Sequence, residues 1–252
     1  DFIEYVHQAN MHSTMMFFTE QGRLYWIKVY DIPEGNRQSK GRALQNMINI
    51  QKGDKVCAFI HVKNLNDQEY VDNHYLIFAT KDGLMKKTTL ESYSRPRANG
   101  IIALGLREGD RLIRVTLTDG KSQMLVASYN GKVVRFPEDT VRPMGRTATG
   151  VRAIKLDEDG LDHVVGMICV EENSKDTVLV ISDKGYGKRT LLDDENGEPI
   201  YRITNRGGKG VKTMNLTDKT GKLIGMEAVN DDQDLMLITK SGTAIRMDMS
   251  SI

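Results

Sequence analysis

A hairpin signal recurs five times along this chain of 252 residues, and the repeat limits the possible folds more than any other feature. In its clearest copy an apolar run and Ser128 precede Asn130-Gly131, and a second strand-like run follows at residues 132–136. An Asn-Gly pair between two such runs is the strongest short-range sign of a β-hairpin, because glycine accepts the positive φ of the turn. The turn glycines, each three residues after a Thr or Ser, are Gly22, Gly83, Gly131, Gly185 and Gly242.

Each hairpin is followed by the same succession of segments. A polar connector ends in a glycine at position 41, 100, 150 or 210, and a third strand is predicted at residues 43–50, 101–104, 151–154 and 211–214. A fourth strand is predicted at residues 55–62, 111–117, 163–170 and 222–229, and residues 1–10 match the fourth strand of a preceding unit. Four short strands at a period near 50 residues indicate an all-β fold, a β-propeller of four-stranded blades.

The repeat also predicts the domain organisation. The units cover about 11–62, 70–118, 120–170 and 174–229, with a partial unit at 232–252. Because both faces of a blade pack on its neighbours, the units are expected to form one domain over residues 1–252. The chain does not begin with Met, and we expect it to be a piece of a longer protein.

The second strand of each hairpin carries a cation at a fixed place. Four residues after the turn glycine stand Lys87, Arg135, Arg189 and Arg246, while the first copy has Trp26 there and Lys28 two residues later. Side chains alternate between the faces of a strand, so a fixed offset predicts a fixed face and hence a belt of cations on one outer rim. The alternative is that these cations only keep exposed strands soluble and guard their edges.

The connectors are basic as well. Residues 204–210 read Thr-Asn-Arg-Gly-Gly-Lys-Gly, in which paired glycines allow close approach to a phosphate chain, although the spacing is not that of a P-loop. Many separated cations without base-reading side chains suit contact with a duplex backbone. The candidate double-stranded DNA contacts are Arg23, Lys28, Arg37, Lys40, Arg42, Lys86, Lys87, Arg95, Arg97, Lys132, Arg135, Arg142, Arg146, Lys188, Arg189, Arg206, Lys209 and Arg246.

Other classes of function find less support in the sequence. The net charge is only +1, so a basic surface must come from the segregation of charge. The five histidines have no metal-ligand spacing, the acidic run at 193–198 lacks the alternation of a calcium loop, and no nucleophile elbow occurs. We expect no catalytic residue, metal or cofactor, no membrane partner, and two reduced thiols at Cys57 and Cys169. A propeller that binds proteins on its flat face stays open as an alternative.

Several motifs together resemble one family over essentially the whole chain. Residues 131–136, Val141-Arg142-Pro143-Met144-Gly145, residues 149–152, residues 23–30 with Pro33, and residues 185–190 are similar to the C-terminal domain of the DNA gyrase A protein. The family carries a box, Gln-Arg-Arg-Gly-Gly-Lys-Gly, in its first blade. The resemblance places that box just before Asp1. It identifies Asn205, Arg206, Gly207, Gly208, Lys209 and Gly210 as a degenerate copy in the fifth blade of the family's count.

The resemblance implies a fold and a function. The fold is a six-bladed β-pinwheel, a propeller variant whose blades exchange strands, with its first and last blades incomplete here. The implied function is the wrapping of DNA around the rim, which prepares ATP-dependent negative supercoiling by a complex of two gyrase A and two gyrase B chains in the bacterial cytoplasm, at the nucleoid. The corresponding domain of topoisomerase IV is the near alternative.

Overall fold

The computed structural model describes residues 5–36 and 38–252, so residues 1–4 of the first predicted strand and the candidate Arg37 lie outside the described residues. The strands are β1 (Thr14–Thr19), β2 (Arg23–Lys28), β3 (Val56–Val62), β4 (Tyr75–Thr80), β5 (Leu84–Thr89), β6 (Ile101–Ile102), β7 (Leu112–Thr118), β8 (Gln123–Ser128), β9 (Lys132–Pro137), β10 (Val151–Arg152), β11 (Val164–Val170), β12 (Thr177–Ser182), β13 (Gly187–Leu191), β14 (Val211–Lys212), β15 (Leu223–Val229), β16 (Asp234–Ile238) and β17 (Ala244–Asp248). A short helix, α1 (Gln68–Asp72), and 3-10 turns at Val29–Asp31, Leu44–Asn46, Leu90–Tyr93, Glu138–Thr140 and Met249–Ser251 complete the described elements.

The strands form a series of antiparallel sheets, which confirms the all-β fold of repeated blades. Blade 1 has the order β3-β1-β2-β6, blade 2 β7-β4-β5-β10 and blade 3 β11-β8-β9-β14. Blade 4 contains β15-β12-β13, and the hairpin β16-β17 stands as a fifth, two-stranded sheet. All five predicted hairpins and all four predicted fourth strands from residue 55 onward are therefore confirmed.

The short third strand of each unit belongs to the preceding blade. Val151 pairs with Met85 and Arg152 with Leu84, so β10 extends blade 2, and β6 and β14 extend blades 1 and 3 in the same way. We call β6, β10 and β14 the exchanged strands. Each follows a glycine at positive φ, and a Cβ on Gly100 or Gly210 would lie 2.7 Å from the carbonyl oxygen of Leu24 or 2.5 Å from that of Val133. Only glycine allows the chain to enter the previous blade this closely.

One predicted third strand is wrong, and the described part of the strand predicted at residues 1–10 is not a strand. Residues 43–50 hold a 3-10 turn at Leu44–Asn46 instead of a third strand, and residues 5–10 form no strand. In the other units both kinds of strand pair with a hairpin, and the described chain has no hairpin before β1 with which these two segments could pair. Tyr5 and His7 instead pack their rings on Phe59, at centroid distances of 4.9 and 4.7 Å.

Apolar side chains fill the spaces between blades. In β4, Leu76 and Phe78 join the cluster shared with blade 1, whereas Ile77 and Ala79 join the cluster shared with blade 3. This follows from the two-residue period of a strand that is buried on both faces. The next cluster joins blades 3 and 4 in the same manner.

The inner strands β3, β7, β11 and β15 line a central cavity of about 690 Å³. The two thiols lie half-buried on its wall, and burial raises the pKa of both Cys57 and Cys169 to about 12. Since the inner strands surround this cavity, the exchanged strands form the opposite, outer edges of the blades. We call these outer edges, with the connectors that lead into them, the rim.

Candidate nucleic-acid interface

The cations at the fixed hairpin offset do not form an exposed belt. Lys87 and Arg135 are only 4% and 6% exposed, and the side chain of Arg189 is 14% exposed. The Nζ atom of Lys87 lies 3.2 Å from a carboxylate oxygen of Glu138, a side chain without solvent exposure. The prediction that these residues contact a phosphate backbone from an outer rim is therefore wrong for Lys87 and Arg135, because both are covered by the next unit.

The fixed offset instead marks a contact between consecutive units. Arg135 donates to the carbonyl oxygen of Leu192 at 3.2 Å and pairs with Asp193 at 3.0 Å. Arg189 donates to the carbonyl oxygen of Met249 at 2.9 Å and pairs with Asp231 at 2.7 Å.

The first and last hairpins differ from the others in the residue at this offset or in its partner. Trp26 occupies the offset in the first copy, and its indole N–H donates to the carbonyl oxygen of Tyr93 at 3.0 Å. It thus makes the same kind of contact to the next unit without a charge. Arg246, in the last described hairpin, is exposed and pairs with Asp234 of its own hairpin.

Lys86, another candidate contact, is completely buried. Its ammonium donates to the hydroxyl of Tyr93 at 3.2 Å, to the carbonyl oxygen of Ala103 at 2.6 Å and to that of Arg146. It also lies 4.9 Å from the ring centroid of Phe78. Burial, and secondly the charge of Arg146, lower the pKa of Lys86 to about 7. Lys86 is therefore a junction between blade 2 and the two connectors that follow it, and the prediction that it contacts DNA is wrong.

This low pKa predicts a specific dependence of stability on pH. Because the pKa of Lys86 rises from about 7 in the folded protein to 10.5 on unfolding, the unfolded state binds more protons between these values. The stability contribution of Lys86 should therefore increase as the pH rises through this window. Urea unfolding of wild type and Lys86→Met at several pH values measures this contribution. The difference between their unfolding free energies cancels the effect of the other titrating groups. A difference in unfolding free energy that stays constant from about pH 7 to about pH 10 would contradict the prediction.

Seven of the nine exposed candidate cations lie in the connectors, while Lys188 and Arg246 lie on hairpin strands. The connectors of the second, third and fourth units run over residues 94–100, 141–150 and 192–210, and each ends at the glycine before an exchanged strand. The fourth begins with the exposed acidic run at residues 193–198 and holds its cations at residues 202–209. The connectors therefore lie along the rim. The predicted contacts that are exposed are Lys40, Arg42, Arg95, Arg97, Arg142, Lys188, Arg206, Lys209 and Arg246.

The remaining candidates are half-buried. Lys132 pairs with Asp157, and Arg23 donates to the carbonyl oxygen of Asn99 at 3.0 Å. Lys28 lines a cleft of about 360 Å³ beside the first connector. Arg146 contacts an exchanged strand, as the Arg-Gly-Gly-Lys-Gly box does.

The Arg-Gly-Gly-Lys-Gly box holds an exchanged strand of the neighbouring unit. The N–H of Gly207 donates to the carbonyl oxygen of Ala153 at 2.6 Å, and the N–H of Lys155 donates to that of Gly208 at 2.8 Å. Arg206 donates to the carbonyl oxygen of Arg152 at 3.4 Å. The box surrounds a cleft of about 450 Å³ on the rim, and Lys209 lines this cleft and is exposed.

A second basic cleft lies between two connectors. Arg95 and Arg97 of the second unit and Arg146 of the third line about 210 Å³, together with Glu91. Arg146 also donates to the carbonyl oxygen of Ile102 in β6. The structure therefore brings connector cations of consecutive units together, although they are 49 to 51 residues apart in the sequence.

Sequence reasoning missed two rim cations. Arg152 and Lys212 are exposed, and each is the last residue of an exchanged strand, two positions after the connector glycine. Ile102 holds the same place in β6. The fixed offset from Gly150 and Gly210 was a usable signal, comparable to the offset from the turn glycines in the hairpins.

One flat face of the blades differs in charge from the rim. Four loops, at residues 63–74, 119–122, 171–176 and 230–233, join the inner strand of one blade to the hairpin of the next and lie on the flat face opposite the hairpin turns. Together they hold nine Asp or Glu residues and three Lys. The net charge of +1 thus conceals a difference between two surfaces. The rim at residues 94–102, 141–152 and 192–212 has nine Lys or Arg and four Asp or Glu, all four within residues 193–198, whereas the loops of this flat face are acidic.

Two other types of site are absent from the described residues. Over 5–36 and 38–252, no three His, Cys, Asp or Glu side chains are placed to hold a metal ion. Nor does any helix within these ranges have the length and apolar character required to cross a membrane.

The chain matches one family model along most of its length. The model is described as DNA gyrase C-terminal domain, β-propeller, and it matches residues 13–63, 74–119, 123–171, 176–230 and 233–252. The DNA gyrase A protein of Staphylococcus aureus (strain NCTC 8325 / PS 47) is 41% identical over 252 residues, which is 100% of this chain and 27% of that protein. The chain therefore spans about a quarter of the length of the curated relatives it matches.

Two solved structures have the same fold. The C-terminal domain of DNA topoisomerase IV superposes with a TM-score of 0.80 at 22% identity, covering 96% of this chain and 71% of that one. The DNA gyrase A C-terminal domain gives 0.76 at 23% identity, covering 97% and 75%. At such identities these two likenesses concern the fold alone.

Proposed function

The chain belongs to the DNA gyrase C-terminal domain family, and from this premise we propose that it is a DNA-binding domain whose basic rim bends double-stranded DNA around the blades. The described blades would act together as one domain. Its rim contacts would be the exposed connector cations with Arg152 and Lys212, supported by their position on the outer edge of successive blades.

We further propose the setting in which this wrapping acts. Gyrase B and the rest of a gyrase A protein would form the complex, with two copies of each, and would carry out ATP-dependent negative supercoiling at the bacterial nucleoid. This domain would contribute no catalytic group. Its part would be to hold one duplex segment bent, so that a second segment of the same molecule reaches the strand-passage site.

The single observation that supports the proposal most is the segregation of charge. A duplex carries a negative charge about every 1.7 Å along its axis, so it is attracted to the cationic rim and repelled by the acidic loops of the flat face. Bending a site of about 20–30 bp costs roughly 1–6 kcal/mol, so the contacts must be several and spaced along the path. Connectors at the rim of consecutive blades supply such spacing.

The test is the affinity of the chain for a duplex of about 40 bp as salt is raised. If six or more phosphates are neutralised, log K should fall against log[salt] with a slope of about −5 or steeper, because each contact contributes about −0.9. Duplexes of different sequence should bind alike. Sequence-independent binding that bends the duplex, read by energy transfer between its labelled ends, is the expected result.

Other outcomes point to the alternatives. Binding with a shallow slope and little bending would favour the near alternative, a topoisomerase IV domain, which we expect to wrap DNA less. No binding at low salt would overturn the proposal for this chain. Binding of a protein to the flat face would then become the leading function.

A further inference from the structure

Two arginines of the rim hold the backbone of a neighbouring unit. Arg206, in the fourth connector, donates to the carbonyl oxygen of Arg152 in β10. Arg146, in the third connector, donates to the carbonyl oxygen of Ile102 in β6. Each arginine stands four residues before its connector glycine, and each acceptor is the last residue of the exchanged strand of the previous unit.

These contacts join three parts of the fold at one point. β10 comes from the third unit but belongs to blade 2, and the arginine that holds it comes from the connector of the fourth unit. Within the box, the amide hydrogen bonds of Gly207 with Ala153 and of Lys155 with Gly208 strengthen the same junction. The angle between blade 2 and the units that follow therefore depends on the docking of this connector.

A guanidinium has donors left after such a contact. Arg has five N–H groups in a planar fork, and one hydrogen bond to a carbonyl leaves others for a phosphate. Arg206 is exposed and lines the box cleft, and Arg146 lines the cleft that it shares with Arg95 and Arg97. A phosphate in either cleft would meet a guanidinium that already holds the exchanged strand.

We propose that Arg146 and Arg206 are positioning residues that couple DNA binding to the angle between blades. This rests on the proposed function. A phosphate on each guanidinium fixes the connector against the exchanged strand. Bound DNA therefore stiffens the junctions between blades, and these junctions set the curvature of the DNA. Exposed cations without such contacts, of which Lys209 is the example, supply affinity alone. Lys209 has no hydrogen bond or ion pair to another described residue.

The test compares Arg206→Lys with the matched control Lys209→Gln in the 252-residue chain. Lysine keeps the charge but lacks the planar fork that holds a carbonyl and a phosphate together. For a straight duplex of about 15 bp, the Arg206→Lys variant should bind within about twofold of wild type, and Lys209→Gln about fivefold more weakly near 0.15 M salt. With about 60 bp of DNA at saturation, the measured quantity is the bend. The Arg206→Lys and Arg146→Lys variants should bend the DNA less than wild type does, whereas Lys209→Gln should bend it as wild type does.

Hydrogen exchange provides a readout that a merely structural role would not change. In wild type, DNA should slow exchange of the Gly207 and Lys155 amides about tenfold or more, because both bonds close the junction. In Arg206→Lys this DNA-dependent slowing should be lost while exchange without DNA stays similar. Wild-type bending and slowing in Arg206→Lys would overturn the inference. Failure of wild type to bind either duplex would instead overturn the proposed function.

Discussion

Replacing four exposed rim cations by glutamine is expected to weaken DNA binding on the order of a thousandfold at 0.15 M salt. The residues are Arg95, Arg97, Arg142 and Lys209, which come from three connectors and are all exposed. Each lost phosphate contact reduces the salt slope by about 0.9, so four contacts should flatten it by about 3.6. The measurement is a titration of a labelled duplex of about 40 bp at several salt concentrations.

A second set of four substitutions separates the local charge of the rim from net charge. Lys63, Lys121, Lys175 and Lys240 are exposed and lie in the acidic loops or at the tip of the last hairpin. Their replacement by glutamine changes the net charge from +1 by the same amount, and it should alter affinity by less than about tenfold. Equal losses in both variants would mean that DNA is attracted by overall charge, and the rim would have no special role.

Both variants should fold normally. Surface substitutions of exposed side chains usually change the free energy of unfolding by no more than about 0.5 kcal/mol. In the rim set, Arg95 lies 3.9 Å from Glu91 while its side chain is 90% exposed, so that pair contributes little. A loss of DNA binding with unchanged thermal unfolding can then be assigned to the phosphate contacts.

The sequence predicted the order of the blades well because their signals are local. A Thr or Ser, a turn glycine and two apolar runs specify a hairpin within about fifteen residues, and every such hairpin is present. Strand exchange is different, since β6 pairs with β2 across more than 70 residues. Its spacing is equally compatible with a third strand in its own blade, and only the family resemblance implied the exchange.

The site was predicted less well for a physical reason. Strand alternation assigns Lys87 and Arg135 to one face, but it does not say whether that face meets solvent or another unit. Their acidic partners, Glu138 and Asp193, stand at different numbers of residues after the turn glycines of their own units. No repeated sequence pattern therefore predicts these ion pairs. The connector cations Arg95, Arg97, Arg142, Arg206 and Lys209 are exposed, whereas Arg146 is half-buried.

Substitution of Glu138 by alanine is expected to destabilise the fold by about 3–5 kcal/mol, which is the largest stability effect we predict. Its carboxylate accepts hydrogen bonds from the hydroxyl of Thr118 and from the N–H of Ser122 at 3.1 Å, and it pairs with Lys87. All four residues are buried. Removal of the carboxylate leaves two donors without partners and the buried Lys87 ammonium with only the ring of Tyr75, 4.4 Å from its centroid. Urea unfolding measures the cost.

The fifth hairpin supplies the matched control. Arg246 stands at the same offset as Lys87 and also pairs with a carboxylate, that of Asp234, but its side chain is 73% exposed. Solvent screens such a pair, so Arg246→Ala should change the unfolding free energy by at most about 1 kcal/mol. Equal costs for Glu138→Ala and Arg246→Ala would contradict the view that the offset acts through burial between units.

A paired substitution distinguishes the contribution of the Lys87–Glu138 ion pair from that of the hydrogen bonds that Glu138 accepts. Replacing Lys87 by Met and Glu138 by Leu removes both charges together, and apolar replacements of a buried pair are often neutral or stabilising by about 1–4 kcal/mol. Here the donors of Thr118 and Ser122 stay unpaired, so we expect recovery of only part of the loss in Glu138→Ala. Some recovery is expected because Trp26, at the same offset, joins blade 1 to its neighbour through Tyr93 without a charge. If the double variant were as unstable as the single one, the unpaired donors of Thr118 and Ser122, rather than the loss of the ion pair, would account for the destabilisation.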